Sequence, residues 1–313
     1  MTQRPTCFGP LISSLRFPMR RPSVRSRGQI SPYPSGDALA STAGPGLAMQ
    51  TVLGLLLAVA MAAPVDASGN ADADLAKELT NPIADLVTVP VQMNIDQDLG
   101  TTGDGTKITT NIQPVVPFDV NDDWNLITRT IIPVIHQDDV VPGSGSQFGL
   151  GDINMSLFLS PTKSTANGIT WGAGPVLLLP TATDPALGAK KWGAGPAVVA
   201  LSLRGPWTVG MLANHIWSFA GDDDRPDINN TFVQPFAAYT WPSAWTASVQ
   251  SEASYNWETE QWSVPVNVAL SKLTMFGRLP VSLQGGVGYW AESPDNGPDG
   301  FRFRLQANFV LPR

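Results

Sequence analysis

The sequence predicts an all-β fold: a transmembrane, antiparallel, up-and-down β-barrel of about 12 strands, preceded by a short N-terminal helix. Three observations predict it. Apolar and polar residues alternate through many long segments, tryptophans sit where these segments begin or end, and short and long connections alternate between them. Strict alternation indicates strands with one apolar and one polar face. The other two features are typical of barrels that cross the bacterial outer membrane.

The first 67 residues are expected to lie outside the barrel. Residues 1–48 are rich in Arg, Pro and Ser and predict a disordered extension, or a start assigned too early, with Met49 as the true start. Residues 49–67 predict a secretory signal peptide, because their apolar run, 52–62, is shorter than the roughly 20 residues of a membrane-spanning helix. Two sites with small residues at −3 and −1 could be cleaved: Ala60-Met61-Ala62 and Val65-Asp66-Ala67.

Two further regions complete the predicted organisation. Residues 68–85 predict a periplasmic segment with a short helix at 71–79, which Asn81-Pro82 ends. Residues 86–313 predict the barrel itself.

The charge balance and the cysteine content exclude several kinds of function. Six of the 19 basic residues and two of the 26 acidic residues precede Ser68, which leaves the mature chain a net charge of −11. This balance argues against nucleic acid as a partner, because phosphate binding requires a basic surface. Cys7, the only cysteine, precedes the predicted signal peptide, so neither a disulfide nor a thiolate nucleophile is expected.

The alternation is clearest in residues 245–257. There, Trp245, Val249 and Tyr255 share one parity, and Gln250 shares the other with further polar residues. The same template predicts twelve strands, near 86–96, 107–120, 124–136, 148–160, 170–180, 191–203, 206–219, 230–241, 244–257, 260–272, 278–291 and 300–311. Many are longer than the usual strands of soluble sheets, about 5–6 residues, and are close to the roughly 9–11 residues that cross a membrane.

The lengths of the connections follow the order expected of an outer-membrane barrel. Gaps two, six, eight and ten are tight, whereas gaps one, three, five, seven and eleven are longer, polar and rich in Gly, Pro and Asp. Outer-membrane barrels have short periplasmic turns and long outer loops, so both ends of the barrel region are expected on the periplasmic side. The ninth gap is shorter than this pattern requires and the fourth is longer.

The aromatic residues distinguish a barrel in lipid from the alternative, a secreted soluble β-protein. Indole rings favour the boundary between lipid and water, and aromatic girdles mark both rims of membrane barrels. All ten tryptophans lie near strand ends and are predicted to form the girdles: Trp124, Trp171, Trp192, Trp207, Trp217, Trp241, Trp245, Trp257, Trp262 and Trp290.

Charged residues within the clear strands keep to the polar parity, as the cost of a charge facing lipid requires. Five of them are predicted to face the lumen and to set its selectivity: Arg129, Asp152, Glu252, Arg302 and Arg304. Two interpretations stay open. These residues either satisfy one another inside a narrow barrel or line a path along which their charges select solutes.

No catalytic residue, metal site or cofactor is predicted. His215 falls on the lipid-facing parity, and Ser218, three residues on, falls on the opposite face, so the two cannot form a nucleophile–base pair. His136 lies beside Gln137-Asp138-Asp139, as a loop residue would. The Asp clusters do not match the spacing of an EF-hand and are expected at solvated loop tips, where divalent cations would bridge them to lipopolysaccharide.

Several separated motifs resemble a known family. They are LAKELTNPIADLVTVPVQMN (75–94), WNLITRTIIPVI (124–135), GLGDI (149–153), WGAGPVLLLPTATD (171–184), KWGAGPA (191–197) and NHIWSFAGDDDRPDINNTFVQPF (214–236). With the C-terminal strand, they resemble the outer-membrane transporters of the MetA-pathway of phenol degradation family, whose members sometimes carry the name neuromedin U. The resemblance implies an outer-membrane barrel of a Gram-negative bacterium that takes up small aromatic or apolar molecules, and it implies no catalytic residue.

The expected function is therefore a porin-like outer-membrane channel or transporter for small, aromatic or apolar solutes. Its expected partners are outer-membrane lipid and lipopolysaccharide, the barrel-assembly machinery and a small-molecule solute. Two alternatives stay open: an envelope-structural or adhesion barrel with a sealed lumen, and a barrel that hydrolyses lipid.

Overall fold

The computed structural model describes residues 69–312 except residues 142 and 144. The predicted extension and signal peptide, residues 1–67, lie outside the described residues. One helix, α1 (Gly69–Glu78), precedes fifteen strand segments. They are β1 (Val87–Leu99), β2 (Gly105–Ile112), β3 (Val115–Asn121), β4 (Trp124–Asp138), β5 (Gln147–Leu150), β6 (Ile153–Pro161), β7 (Ile169–Leu179), β8 (Lys191–Arg204), β9 (Trp207–Gly221), β10 (Asn229–Thr240), β11 (Trp245–Ser251), β12 (Ala253–Asn256), β13 (Gln261–Phe276), β14 (Leu279–Glu292) and β15 (Phe301–Leu311).

The fifteen segments form twelve barrel strands, as predicted, because three strands are interrupted. Segments β2 and β3 are separated at Gln113-Pro114, β5 and β6 at Gly151-Asp152, and β11 and β12 at Glu252. All pairings are antiparallel between sequential strands. The last strand pairs with the first, from Val87↔Leu311 to Ile95↔Phe303, and this pairing closes the barrel.

The two ends of the barrel differ in their connections. One, here called the turn end, contains residues 121–124, 162–168, 205–206, 241–244 and 277–278 together with the start of β1 and the end of β15. The other, here called the loop end, contains residues 99–105, 138–147, 180–190, 221–229, 257–260 and 293–300. The predicted alternation is confirmed, and both exceptions are real: 162–168 is a long connection at the turn end, and 257–260 is a short one at the loop end.

The two faces of β15 illustrate the chemistry of the wall. The side chains of Phe301, Phe303 and Leu305 point outward and are 47%, 48% and 55% exposed, whereas those of Arg302 and Arg304 point inward and are 6% and 2% exposed. An apolar outer face with the charges turned inward is the arrangement that lipid outside the barrel favours. Among the described residues, no helix is long and apolar enough to cross a bilayer.

Nine of the ten tryptophans lie on the outer surface at the two rims. Ring contacts join several of them to their neighbours, such as Trp124 with Trp171 at 6.0 Å and Trp207 with Tyr239 at 5.0 Å between centroids. The girdle at the turn end contains Trp124, Trp171, Trp207, Trp241 and Trp245, and the one at the loop end contains Trp192, Trp217, Trp257 and Trp262. Lys272, which also points outward, lies over the Trp245 ring and donates to the Ser243 carbonyl, so its charge reaches the rim.

The interior of the barrel is apolar on one side. There, buried residues of β4 to β9, including Ile127, Phe158, Val176 and Leu212, form a cluster that also contains Ile83, which precedes β1. The end of α1 packs nearby against other strands, where Ala76 contacts a cluster with Ala244 and Leu273. Residues 76–83, here called the plug segment, therefore lie inside the lumen at the turn end.

Candidate functional site

A network of charged side chains crosses the lumen between the first, ninth and last barrel strands. Arg302 forms an ion pair with Asp96, with Nε 3.1 Å from Oδ1, and donates a hydrogen bond through Nη2 to Oδ2 at 3.2 Å. Arg304 donates through Nη2 to Glu252 Oε2 at 2.6 Å and through Nε to Asn94 Oδ1 at 2.7 Å. Arg302 Nη1 lies 3.6 Å from the same Glu252 oxygen, so Glu252 links the two guanidinium groups.

Trp290 belongs to this network, which corrects the prediction that it forms part of the girdle. Its Nε1 donates to Asp96 Oδ1 at 3.0 Å, and the Arg302 guanidinium lies 5.0 Å from the ring centroid. Adjacent residues of a strand face opposite ways, and Tyr289 takes the outward position, 5.5 Å from the Phe301 ring. Gly288 leaves room for the network, since a Cβ there would lie 2.6 Å from Arg302 Cγ.

Arg129 faces the same part of the lumen from β4. It donates through Nη2 to Gln113 Oε1 at 2.8 Å and forms no ion pair with a carboxylate of the described residues. Arg129 and Glu252 line one cavity. The structure therefore brings together four of the five predicted lumen residues.

The fifth predicted lumen residue, Asp152, lies apart from the other four. It lies in the interruption between β5 and β6, and its carboxylate accepts hydrogen bonds from the backbone N–H groups of Ala182 at 3.1 Å and Ala189 at 2.6 Å. Asp152 thus fastens the 180–190 loop to the wall. These two hydrogen bonds account for a carboxylate at this position, so its charge needs no role in the selection of solutes.

Two cavities occupy the lumen on either side of the plug segment. The first, here called the chamber, has a volume of about 200 Å³ and lies between the plug segment and the charged network. The second, here called the vestibule, has a volume of about 650 Å³ and lies at the turn end, beside residues 119–122 and 160–164. Asn81 lines both cavities, so the plug segment lies between them at this point.

The polar lining of the chamber consists largely of amides that the sequence interpretation did not identify. Register places Gln92 beside Gln306, and Gln306 beside Gln284, on three consecutive strands, and Gln234 Nε2 donates to Gln250 Oε1 at 3.3 Å. All but Gln234, which shares its parity with Phe232 and Phe236, lie on the polar parity of their strand. Parity could therefore have identified them as residues that face the lumen. Their position at the same level along the barrel axis depends on the strand register, which parity does not give.

Few contacts hold the plug segment in the lumen. Thr80 Oγ1 donates to Thr208 Oγ1 on β9 at 2.7 Å, and Asn81 Oδ1 accepts from the Ile83 N–H at 3.0 Å. Ile83 is 3% exposed and packs in the apolar cluster of the interior. One hydrogen bond to the wall and the apolar packing of Ile83, Ala76 and Leu79 against it thus hold the plug segment in place.

Solved structures of membrane proteins share this architecture. No protein-family model matches the chain, and no curated protein matches it. The structure of the COG4313 outer membrane channel from Pseudomonas putida F1 superposes with a TM-score of 0.58 at 16% identity, covering 72% of this chain and 96% of that chain. The chain has the fold of an outer-membrane β-barrel.

Other outer-membrane barrels superpose less closely. The outer membrane phospholipase A from Escherichia coli gives a TM-score of 0.44 at 13% identity, covering 72% of this chain and 90% of that chain. The KdgM porin in complex with oligogalacturonate gives 0.41 at 10% identity, covering 72% and 100%.

On the outside of this outer-membrane barrel, His215 has a hydroxyl neighbour that differs from the one considered in the sequence. Its Nδ1 lies 2.7 Å from Thr231 Oγ1, which also accepts a hydrogen bond from Trp257 Nε1 at 2.8 Å. The His215 ring lies 4.0 Å from that of Trp217, and its buried Nε2 has no partner among the described residues. Ser218 points away, as predicted.

The acidic residues at the loop end are engaged in structural bonds. Asp222 accepts from the Asp224 N–H at 3.0 Å and from Lys190 Nζ at 3.3 Å, and these two bonds, the backbone one first, lower the pKa of Asp222 below its usual value. Lys191 Nζ donates to Asp227 at 3.0 Å and lowers the pKa of that carboxyl. No group of three or more potential metal ligands occurs among the described residues.

Proposed function

We propose that this barrel conducts small solutes across the outer membrane and that the plug segment gates the path. The observation that carries the proposal is the position of Asn81, which lines both the chamber and the vestibule. Movement of the plug segment would join these two cavities. Because short turns face the periplasm in outer-membrane barrels, the gate would lie at the periplasmic mouth.

We further propose small aromatic solutes as the transported class, in line with the resemblance to the MetA-pathway family. The chamber supports a solute with both apolar and polar groups, since Leu79, Val115 and Phe236 line it together with the glutamines. Channel walls that offer several moderate contacts favour passage over tight binding.

Planar-bilayer recordings and liposome swelling test the channel proposal. The purified, heat-modifiable barrel should give discrete conductance steps in KCl, because hydrated polar side chains line both cavities, and it should admit small phenolic solutes into liposomes. A folded barrel that shows neither conductance nor swelling would contradict the proposal. That result would favour the alternative of a sealed barrel with an envelope-structural or adhesion role.

The barrel is not expected to hydrolyse lipid, although Thr231 lies within hydrogen-bond distance of His215. Nucleophilic catalysis also requires a group that orients the base, and Trp217 stacks on His215 beside its unpartnered Nε2. Fatty-acid release from phospholipid vesicles should therefore be at background for both the wild-type protein and His215→Ala. Release by the wild-type protein that His215→Ala and Thr231→Val both abolish would support the hydrolase alternative instead.

The expected partners follow from the same position in the membrane. The outward apolar face would contact outer-membrane lipid, and the loop end, with Asp223 and Asp224 exposed, would contact lipopolysaccharide through divalent cations. Insertion of such a barrel would require the barrel-assembly machinery.

A further inference from the structure

The charges around the chamber do not balance. Three guanidinium groups face this part of the lumen, but the network has two carboxylates: Asp96, which pairs with Arg302, and Glu252, which pairs with Arg302 and Arg304. Lys107, the register partner of Asp96 on β2, adds another positive charge on the same face. The excess positive charge is accessible to a ligand at Arg129, which lines the chamber and whose hydrogen-bond partner, Gln113, is neutral.

The rest of the lining is neutral and rich in hydrogen-bonding groups. Glutamine and serine side chains surround Arg129, and Asn308 Oδ1 is buried without a partner among the described residues. Amides can donate and accept, so they would serve hydroxyl, carbonyl or carboxylate groups equally well. At about 30 Å³ for each water molecule, the chamber of about 200 Å³ has room for about seven of them.

These features specify the ligand by charge, size and polarity. A carboxylate matches the fork of a guanidinium group and forms charge-assisted hydrogen bonds with it. A second negative charge would be opposed by Glu252, which lines the same chamber. The site therefore favours a single negative charge on a small organic molecule.

We propose that the chamber is a binding site for a small organic monocarboxylate, held through its carboxylate by Arg129 and through its other polar groups by the surrounding amides. The inference rests on the proposed function in one respect, since the chamber lies on the proposed solute path. It gives that path a site with a preferred charge.

Isothermal titration of the full barrel in detergent tests the site directly, with benzoate as the probe and benzyl alcohol as its neutral counterpart. Benzoate should bind at least tenfold more tightly than benzyl alcohol. Arg129→Gln should weaken benzoate about ten- to hundredfold, because a hydrogen bond to a charged group contributes about 1.5–3 kcal/mol, and should leave benzyl alcohol unchanged. Arg278→Gln, in an exposed turn at the turn end, is the matched control and should bind benzoate as the wild type does.

Each other outcome bears on the proposal. Equal affinities for the two probes, absence of benzoate binding, or undiminished binding by Arg129→Gln would overturn it. If Arg129→Gln does not fold, Arg129→Lys provides the test, because it keeps the positive charge but cannot form the two parallel hydrogen bonds of a guanidinium group. It should bind benzoate several-fold more weakly than the wild type does. Binding with wild-type affinity would overturn the proposal. If the barrel binds benzoate but conducts no ions, the channel proposal is rejected and the binding-site proposal stands. If it conducts ions but does not bind benzoate, the binding-site proposal is rejected and the channel proposal stands.

Discussion

Deletion of residues 69–83 should raise the single-channel conductance several-fold, because the chamber and the vestibule would become one continuous lumen. Those residues include the whole plug segment, whose side chains line both cavities. The deletion also removes the burial of Ile83, a loss of about 1.5–3 kcal/mol in the free energy of unfolding. Planar-bilayer recording measures the first effect, and the temperature of the heat-modifiable gel shift measures the second.

A shorter deletion and a reversible crosslink provide the controls. Removing only residues 69–72, which line neither cavity, should leave the conductance unchanged. The double variant Thr80→Cys/Thr208→Cys replaces a pair of hydroxyls 2.7 Å apart in a chain whose one natural cysteine is Cys7. Its conductance should fall on oxidation and recover on reduction. Equal conductance in the full-length barrel and in the barrel without residues 69–83 would show that these residues do not limit the flow of ions through the lumen.

Glu252→Gln should make the barrel both less stable and more selective for anions. The substitution leaves Arg304, which is 2% exposed, without its carboxylate partner at 2.6 Å. Removing one partner of a buried ion pair costs about 3–5 kcal/mol. The same change adds one net positive charge to the lumen, so the reversal potential in a KCl gradient should shift toward that of chloride.

Glu258→Gln is the matched control for this variant. Glu258 lies in the exposed 257–260 connection, outside the lumen, and its loss should change neither the unfolding temperature nor the reversal potential beyond experimental scatter. If Glu252→Gln and Glu258→Gln behaved alike, Glu252 would have no special part in the charge balance of the lumen.

The twelve strands could be predicted from the sequence alone because the alternation of apolar and polar residues is detectable even in strands rich in Gly, Ala and Pro. The fifth, sixth and tenth barrel strands are the difficult ones, since Gly, Ala and Pro interrupt their pattern, and of these three the fifth and sixth are the richest in glycine. The structure explains these residues by close backbone approach: a Cβ at Gly174 would lie 1.9 Å from the Leu157 carbonyl oxygen, and one at Gly195 would lie 1.7 Å from that of His215. Glycine is required there for packing of the wall.

The misplacement of Trp290 and the separate position of Asp152 have different physical causes. Tyr289 and Trp290 are adjacent aromatics at one rim; Trp290 shares the parity of Gln284 and Tyr289 that of Leu283, so the alternation indicated the inward position that the rule placing tryptophan at the rim overrode. Asp152 has the parity of a lumen residue, but the strand is interrupted beside it and the 180–190 loop folds back to its carboxylate. Both outcomes depend on contacts with residues distant in the chain.

The members of the charged network could be predicted, but their partners could not. Parity identified Arg302, Arg304, Glu252 and Arg129 as inward residues, since a charge on the lipid face is costly. Glu252 reaches Arg304 across the intervening strands β13 and β14, a contact that depends on how the closed wall curves. The glutamines of the chamber also lie near one another because of the register and curvature of the closed wall.

The network at the closing seam has a consequence for how the barrel folds. The bond between Arg302 and Asp96 joins residues 206 positions apart, and that between Arg304 and Asn94 joins residues 210 apart. Contacts of such sequence separation form late and slowly. A shift of one residue in the register between β1 and β15 would turn both arginines toward lipid. The buried charges therefore penalise a barrel that closes one residue out of register, so the strand pairing that completes folding is also the step at which such an error is rejected.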